Sequence, residues 1–325
     1  MRRVLRIAIP AAFYLALVIF LAYYLTTIDW DTIANIRFDW WFMIVASVLG
    51  LTSRYWGAWI WIVILRSLGA KRARFSTVLV AVYAKSWLGR YIPGTAPWIL
   101  GKIYFASREG ISRNKLAVSS LLEAALQIVV QVAIALALLL FDPRVGEVIT
   151  SELRVLMLLA LVGCVIAVFP PVFNRLMAMA YRLLKKGTLD REHYAGWGTI
   201  GSGAGLYVVG TLLNGLSLFF IAKSTFPALE YDLVWFVMGA ATLAGVAGML
   251  AIFIPSGLGV REGIQTVLLA LVMPVEIALV IAVVSRLWSV AIDLVFFGAA
   301  WVLNRIRGGN TDAIAAPDAG GVPSP

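Results

Sequence analysis

Apolar runs long enough to cross a membrane alternate with short basic segments along almost the whole chain. Uninterrupted runs cover Ile7 to Leu25, Trp40 to Leu65, Leu116 to Phe141, Leu153 to Phe173, Ile200 to Ala222 and Ile277 to Leu303. At about 20 residues per crossing, each predicts a spanning helix. The first follows Met1-Arg2-Arg3-Val4-Leu5-Arg6 with no small-residue cleavage site behind it, which predicts a retained helix and not a removable signal. Two further runs are broken by Pro and Gly: Phe75 to Phe105 at Tyr91-Ile92-Pro93-Gly94, and Val234 to Leu271 at Phe253-Ile254-Pro255-Ser256-Gly257.

The broken runs set the topology. Phe75 to Arg90 has 16 residues, about 24 Å at roughly 1.5 Å per residue, and so falls short of a hydrocarbon core about 30 Å thick. It predicts a hairpin that enters and turns back. Arg66, Lys71, Arg72 and Arg74 precede it, and Lys102, Arg108, Arg113 and Lys115 follow it, so both ends belong on the cytoplasmic side. The flanks of the second run, Lys223 to Asp232 and Met273 to Glu276, are poor in Lys and Arg and belong outside. Under this arrangement 18 Lys and Arg lie in inside segments and 4 in outside segments, with five more inside apolar runs. Val234 to Ile254 has 21 residues, enough to span by itself. That alternative would put Arg305 and Arg307 outside.

Aromatic-Ile-Pro-small occurs at Tyr91 to Gly94 and again at Phe253 to Ser256, half a chain apart. Each motif leads through a Gly-rich connection into a polar-striped helix. The expected fold is therefore an all-α polytopic membrane protein, with about six full spans plus two Pro/Gly-broken re-entrant hairpins, arranged as an inverted-topology repeat. One transmembrane domain would cover residues 1–307, with halves at about 1–145 and 150–307, before a disordered cytoplasmic tail over 308–325. Inverted repeats with interrupted helices point to a transporter whose site lies near the midplane.

Composition agrees and removes alternatives. Of 325 residues, 62% are apolar and 14% charged, which excludes a water-soluble domain. The net charge of +10 is spread over segments between spans, so it sets orientation and does not suggest nucleic-acid binding. Cys164 and His193 are the only cysteine and histidine, too few for a disulfide framework or a His/Cys metal site. No Walker loop, Ser/His/Asp set or metal-ligand spacing is present. No cofactor or metal is expected.

Charges inside apolar runs are the candidate chemistry, because each costs roughly 2.5–3.5 kcal/mol at the bilayer centre on insertion scales. They are Arg54, Lys85, Arg90, Arg261 and Arg286, opposed by Glu123, Glu262 and Asp293. If all are ionised, two positive charges remain unmatched. Glu123, Gln127 and Gln131 form one helical stripe, and Arg286, Ser289 and Asp293 another, both expected to face the bundle interior. The plainer reading of Glu123 and Asp293 is that they neutralise neighbouring cations and lock helices. For Arg54, beside Tyr55 and Trp56, snorkelling or packing is an equal alternative. Lys85, Arg90, Arg261 and Arg286 are the expected lipid-phosphate ligands, with Glu123, Gln127, Glu262 and Asp293 supporting them or coupling protons. The break residues Pro93, Gly94, Pro255, Gly257 and Gly259 would bring backbone N–H groups and helix N-termini to the anion. The plainer reading of the glycines is a tight turn.

Arg90-Tyr91-Ile92-Pro93-Gly94, Ser107-Arg108-Glu109-Gly110-Ile111-Ser112-Arg113, Glu123, Pro255-Ser256-Gly257-Leu258-Gly259-Val260-Arg261-Glu262-Gly263 and Arg286 resemble the lysylphosphatidylglycerol synthase transmembrane, or flippase-like, family. The resemblance runs over about residues 5 to 305. Where many members have a Gly-Glu-x-x-Arg type segment, this chain has Thr95-Ala96-Pro97-Trp98-Ile99-Leu100-Gly101-Lys102. Full synthases add a soluble aminoacyl-transfer domain, which this sequence lacks, so lysine transfer is not implied. The resemblance does imply a lipid-translocating or lipid-presenting module, often tied to glycolipid or isoprenoid-linked sugar metabolism.

The expected function is a flippase in a bacterial cytoplasmic (inner) membrane, with both termini cytoplasmic. Its substrate would be an anionic lipid, whether a phospholipid, an aminoacylated lipid or a polyprenyl-phosphate-linked glycan. The alternatives are a membrane-embedded transferase using Glu123 or Glu262 as base, and a non-transporting subunit that docks a glycosyltransferase. A glycosyltransferase or aminoacyltransferase partner and a homo-oligomer are each compatible with the sequence.

Overall fold

The computed structural model describes residues 37–70, 73–92, 96–185, 194–251, 254 and 257–312. The predicted first span, Pro93, Gly94, Pro255 and the tail beyond Asp312 lie outside these. Helices in chain order are α1 (Trp40–Ser67), α2 (Thr77–Trp87, prolonged by a 3-10 turn over Leu88–Tyr91), α3 (Ala96–Ser107), α4 (Arg113–Leu140), α5 (Pro143–Val148), α6 (Ser151–Val168), α7 (Pro170–Lys185), α8 (Trp197–Thr225), α9 (Val234–Leu250), α10 (Val260–Leu269) and α11 (Val275–Asp312). The described residues contain no strand. Among the described residues, six helices are long and apolar enough to cross a membrane: α1, α4, α6, α8, Tyr231–Leu250 and Val275–Arg307.

Two boundaries differ from the sequence reading. The run Leu153 to Phe173 divides, because Pro170 cannot donate to a continuing ladder and instead starts α7. The last helix continues through Gly308 to Asp312, past the predicted start of a disordered tail.

Helices α1 and α8 form the central pair. Ser217 Oγ donates to the Ala46 carbonyl at 2.8 Å, Ser224 Oγ to the Asp39 carbonyl at 2.8 Å, and Trp56 Nε1 to the Leu206 carbonyl at 2.8 Å. Small side chains let these backbones approach, which is how helices associate where lipid supplies no hydrophobic drive. Helix α6 stands at the periphery with no buried residue, its surface apolar beyond the first turn and suited to lipid.

Both broken runs fold back on themselves. In the first, Gly101 of α3 lies against Ser86 of α2, and Lys115 Nζ donates to the Gly69 carbonyl at 2.9 Å, drawing the two ends of the hairpin together. Those ends share a core with Leu116 at the start of α4 and with Phe296 and Ala300 late in α11. In the second, Leu233, Phe236 and Val237 share a core with Leu269, Met273, Leu139 at the far end of α4, and Ala278 early in α11. The two broken runs therefore pack their ends against opposite ends of α4 and α11.

The tip of the second hairpin depends on backbone contact. Gly257 adopts φ +65° and lies so close to Gly248 that an added Cβ would sit 2.3 Å from the Gly248 Cα. Gly257→Ala combines left-handed strain of about 1–2 kcal/mol with an overlap that no rotamer relieves. It should lower stability by about 2–3 kcal/mol, read as a reduced Tm of the purified protein in detergent. An unchanged Tm would show that the contact is dispensable.

Candidate functional site

Arg54, Gln127 and Asp293 all fall near the middle of their helices α1, α4 and α11. A helix of 28 residues, such as α1 or α4, is about 42 Å long, so Arg54 and Gln127 lie roughly 20 Å from either end. The hairpin tips bring Arg90, Tyr91, Arg261 and Glu262 to the same depth.

Asp293 is the hub. Its side chain is fully buried and accepts from Arg54 Nε at 2.5 Å and from the Tyr91 hydroxyl at 2.6 Å, with Arg90 at 3.9 Å. Arg54 Nη2 also donates to Ser289 Oγ at 3.1 Å. The Trp87 ring lies under both cations, 5.6 Å from Arg54 and 4.6 Å from Arg90. Arg54 is thus a central member of the cluster, where the sequence had left packing or snorkelling open.

Glu262 spends its charge locally. Its Oε2 accepts from the Gly259 N–H at 2.6 Å, capping α10, and Arg286 stands 3.5 Å from Oε1. Gly259 N–H therefore points at the protein's own carboxylate, and Gly257 N–H donates to the Ile254 carbonyl at 3.1 Å. These amides were expected to cradle an anion. The structure gives them capping and turn-closing partners instead, which matches the plainer tight-turn reading.

Arg261 has no ion pair or hydrogen bond among the described residues. In the described ion pairs of the cluster, Arg54 and Arg90 share Asp293, and Arg286 stands beside Glu262. Lys85 is elsewhere: it is exposed, with its ammonium over the Phe105 ring at 4.1 Å, because the far face of α2 carries it out of the bundle.

The sequence reading took Lys102 for a flanking cytoplasmic cation. It is fully buried and salt-bridged to Glu123, with its ammonium 3.9 Å from the Trp98 ring centroid and 4.9 Å from that of Tyr83. Glu123 is thereby matched by Lys102 and supports none of the guanidinium groups. The spacing Trp98 to Lys102, one helical turn, was the signal that could have revealed the cage.

Between the hairpin tips and α1, α4 and α8 lies a cavity of about 390 Å³. Arg54, Arg90 and Arg261 form its cationic wall, and Trp56, Tyr83, Trp87, Trp98 and Tyr207 its aromatic walls. Gln127, Gln131, Thr211 and Asn214 add neutral hydrogen-bonding groups. No Asp or Glu lines it among the described residues.

Residues 4–296 match the family described as the lysylphosphatidylglycerol synthase TM region. The chain belongs to this family. No curated protein and no solved structure matches it. With six helices of spanning character, this member of the lysylphosphatidylglycerol synthase TM family is an integral membrane protein of the lipid-synthase or flippase-like kind.

Proposed function

We propose that this protein moves an anionic, phosphate-bearing lipid between leaflets, holding the headgroup in the midplane cavity while the tails remain in the bilayer. The observation that carries the reading is the cationic wall of Arg54, Arg90 and Arg261 on a large cavity whose lining has no carboxylate. Arg261 has no ion pair among the described residues, a buried charge in that position is costly, and a phosphate supplies negative charge with oxygens that guanidinium groups grip bidentately. The two hairpins would be re-entrant elements of an inverted repeat, so that rocking one against the other exposes the cavity to alternate sides. Orientation follows the bias of Lys and Arg, with both termini on the cytoplasmic side of a bacterial inner membrane.

The rest of the lining narrows the head. Aromatic rings, carboxamides and a threonine hydroxyl suit a neutral, hydroxyl-rich group, which favours a glycosyl phosphate lipid such as a polyprenyl-phosphate-linked glycan. An aminoacyl ammonium would find three guanidinium groups and no acid. No nucleotide site is visible among the described residues, so movement is passive or gradient-driven.

The test is headgroup translocation in proteoliposomes carrying a fluorescent phosphatidic acid, followed by chemical quenching of the outer leaflet. Arg90→Gln and Arg261→Gln should each slow translocation at least tenfold without altering Tm by more than a few degrees, whereas Arg108→Gln at the bundle end should not. Rates equal to wild type in both cavity variants would reject the phosphate role.

A further inference from the structure

Behind Arg54 and Arg261 lies a second chamber of about 30 Å³, bounded also by Gly50, Asn214, Ser217, Ser285, Ser289 and Ile292. Arg54, Asn214 and Arg261 border both spaces, so this chamber adjoins the large cavity. One water needs about 10–15 Å³ of such space. The chamber therefore has room for one or two waters or one larger monoatomic ion.

The chemistry of its wall is biased. Ser285 Oγ donates to the Ala282 carbonyl at 2.9 Å and accepts from Gln265 Nε2 at 3.1 Å, so it has little left to offer. Ser217 donates away from the chamber, to the Ala46 carbonyl. Ser289 Oγ accepts from Arg54, which leaves its own proton to donate. The Asn214 carboxamide and the Arg261 guanidinium have no hydrogen-bond partner among the described residues. The donors left over are thus N–H groups of Arg261 and Asn214 and the O–H of Ser289, beside two cations, in a wall without a carboxylate. Two cations without a carboxylate favour an anion over sodium, and the small space favours a monoatomic one.

We propose that this chamber is a halide site, holding one chloride as the counter-ion of Arg261. Arg261 has no ion pair among the described residues, so the inference does not depend on which ligand the larger cavity takes. A resident chloride would let the protein keep its guanidinium groups ionised when no lipid is bound, lowering the cost of an unmatched buried cation.

Gly50 gives a test that spares both arginines. A Cβ built there would meet Ser217 Oγ at 3.4 Å and the Ile292 side chain at 3.7 Å, ordinary contacts, so a methyl fills the chamber without a clash. Alanine also suits a helix interior better than glycine. Chloride binding is read as line broadening of the chloride NMR signal on purified full-length protein in detergent, titrated with sodium chloride against sodium gluconate. Saturable broadening is expected for wild type, weakened at least tenfold in Gly50→Ala. Ser289→Ala, which removes a donor and adds no volume, should weaken it several-fold and decides the matter if Gly50→Ala does not fold. Absence of saturable broadening in wild type would mean that the chamber holds water only. Wild-type affinity in a folded Gly50→Ala, or in Ser289→Ala where Gly50→Ala does not fold, would place the chloride elsewhere. Either result overturns the proposal.

Discussion

Replacing Lys102 with Met should lower stability by about 3–5 kcal/mol, the usual effect of removing one partner from a buried ion pair. The Lys102 and Glu123 side chains are 0% and 2% exposed, so a carboxylate left alone there has neither water nor a second cation to turn to. The cage of Trp98, Tyr83 and Trp61 would also lose the cation it surrounds. The double variant Lys102→Met/Glu123→Leu should recover most of the loss, since an apolar pair of similar volume needs no charge balance. Melting curves of the single and double variants give the coupling energy directly. A single variant that melts with wild type would show that Glu123 carries no charge in the native protein. Neither residue lines the cavity, so the double variant should keep headgroup binding, separating a lock between α3 and α4 from the site itself.

The bundle was legible in the sequence because a membrane leaves few solutions: long apolar runs must be helices, and Pro with Gly must interrupt them. That logic located α1, α4, α8 and both broken segments to within a few residues. It misplaced a boundary at Pro170, which divides the run Leu153 to Phe173, although the part before it, Ser151–Val168, is still long and apolar enough to span. It was weakest for charge. Lys102 sits at the edge of an apolar run and was read with its basic neighbours, although Trp98 one turn earlier and Glu123 on the next helix supply a cage and a counter-charge. Lys85, nearly two turns before the break, points outward, because periodicity alone does not say which face of a short helix meets the bundle. The Gly259-x-x-Glu262 spacing is that of a helix capping itself, and this competes with the anion-cradle reading of the same glycines. Which cations share a cavity depends on where two hairpin tips meet, a tertiary fact that no local pattern carries.

Asp293→Asn should have an effect as large as Lys102→Met, but one that a ligand can partly reverse. The carboxylate takes hydrogen bonds from Arg54 and Tyr91 and stands 3.9 Å from Arg90, tying α1, the first hairpin tip and α11 together. Asparagine keeps the shape and removes the charge, so Arg54 loses its ion pair. A loss of about 3–5 kcal/mol is expected. A ligand that binds the folded protein more tightly raises Tm more, and a phosphate in the cavity would supply part of the negative charge that Asn lacks. Phosphatidic acid should therefore raise the Tm of Asp293→Asn by more than it raises that of wild type, whereas diacylglycerol, which has the same tails and no phosphate, should not. Equal shifts in the two proteins would mean that the phosphate does not reach the guanidinium groups around Asp293, and the midplane site would have to be sought elsewhere in the bundle.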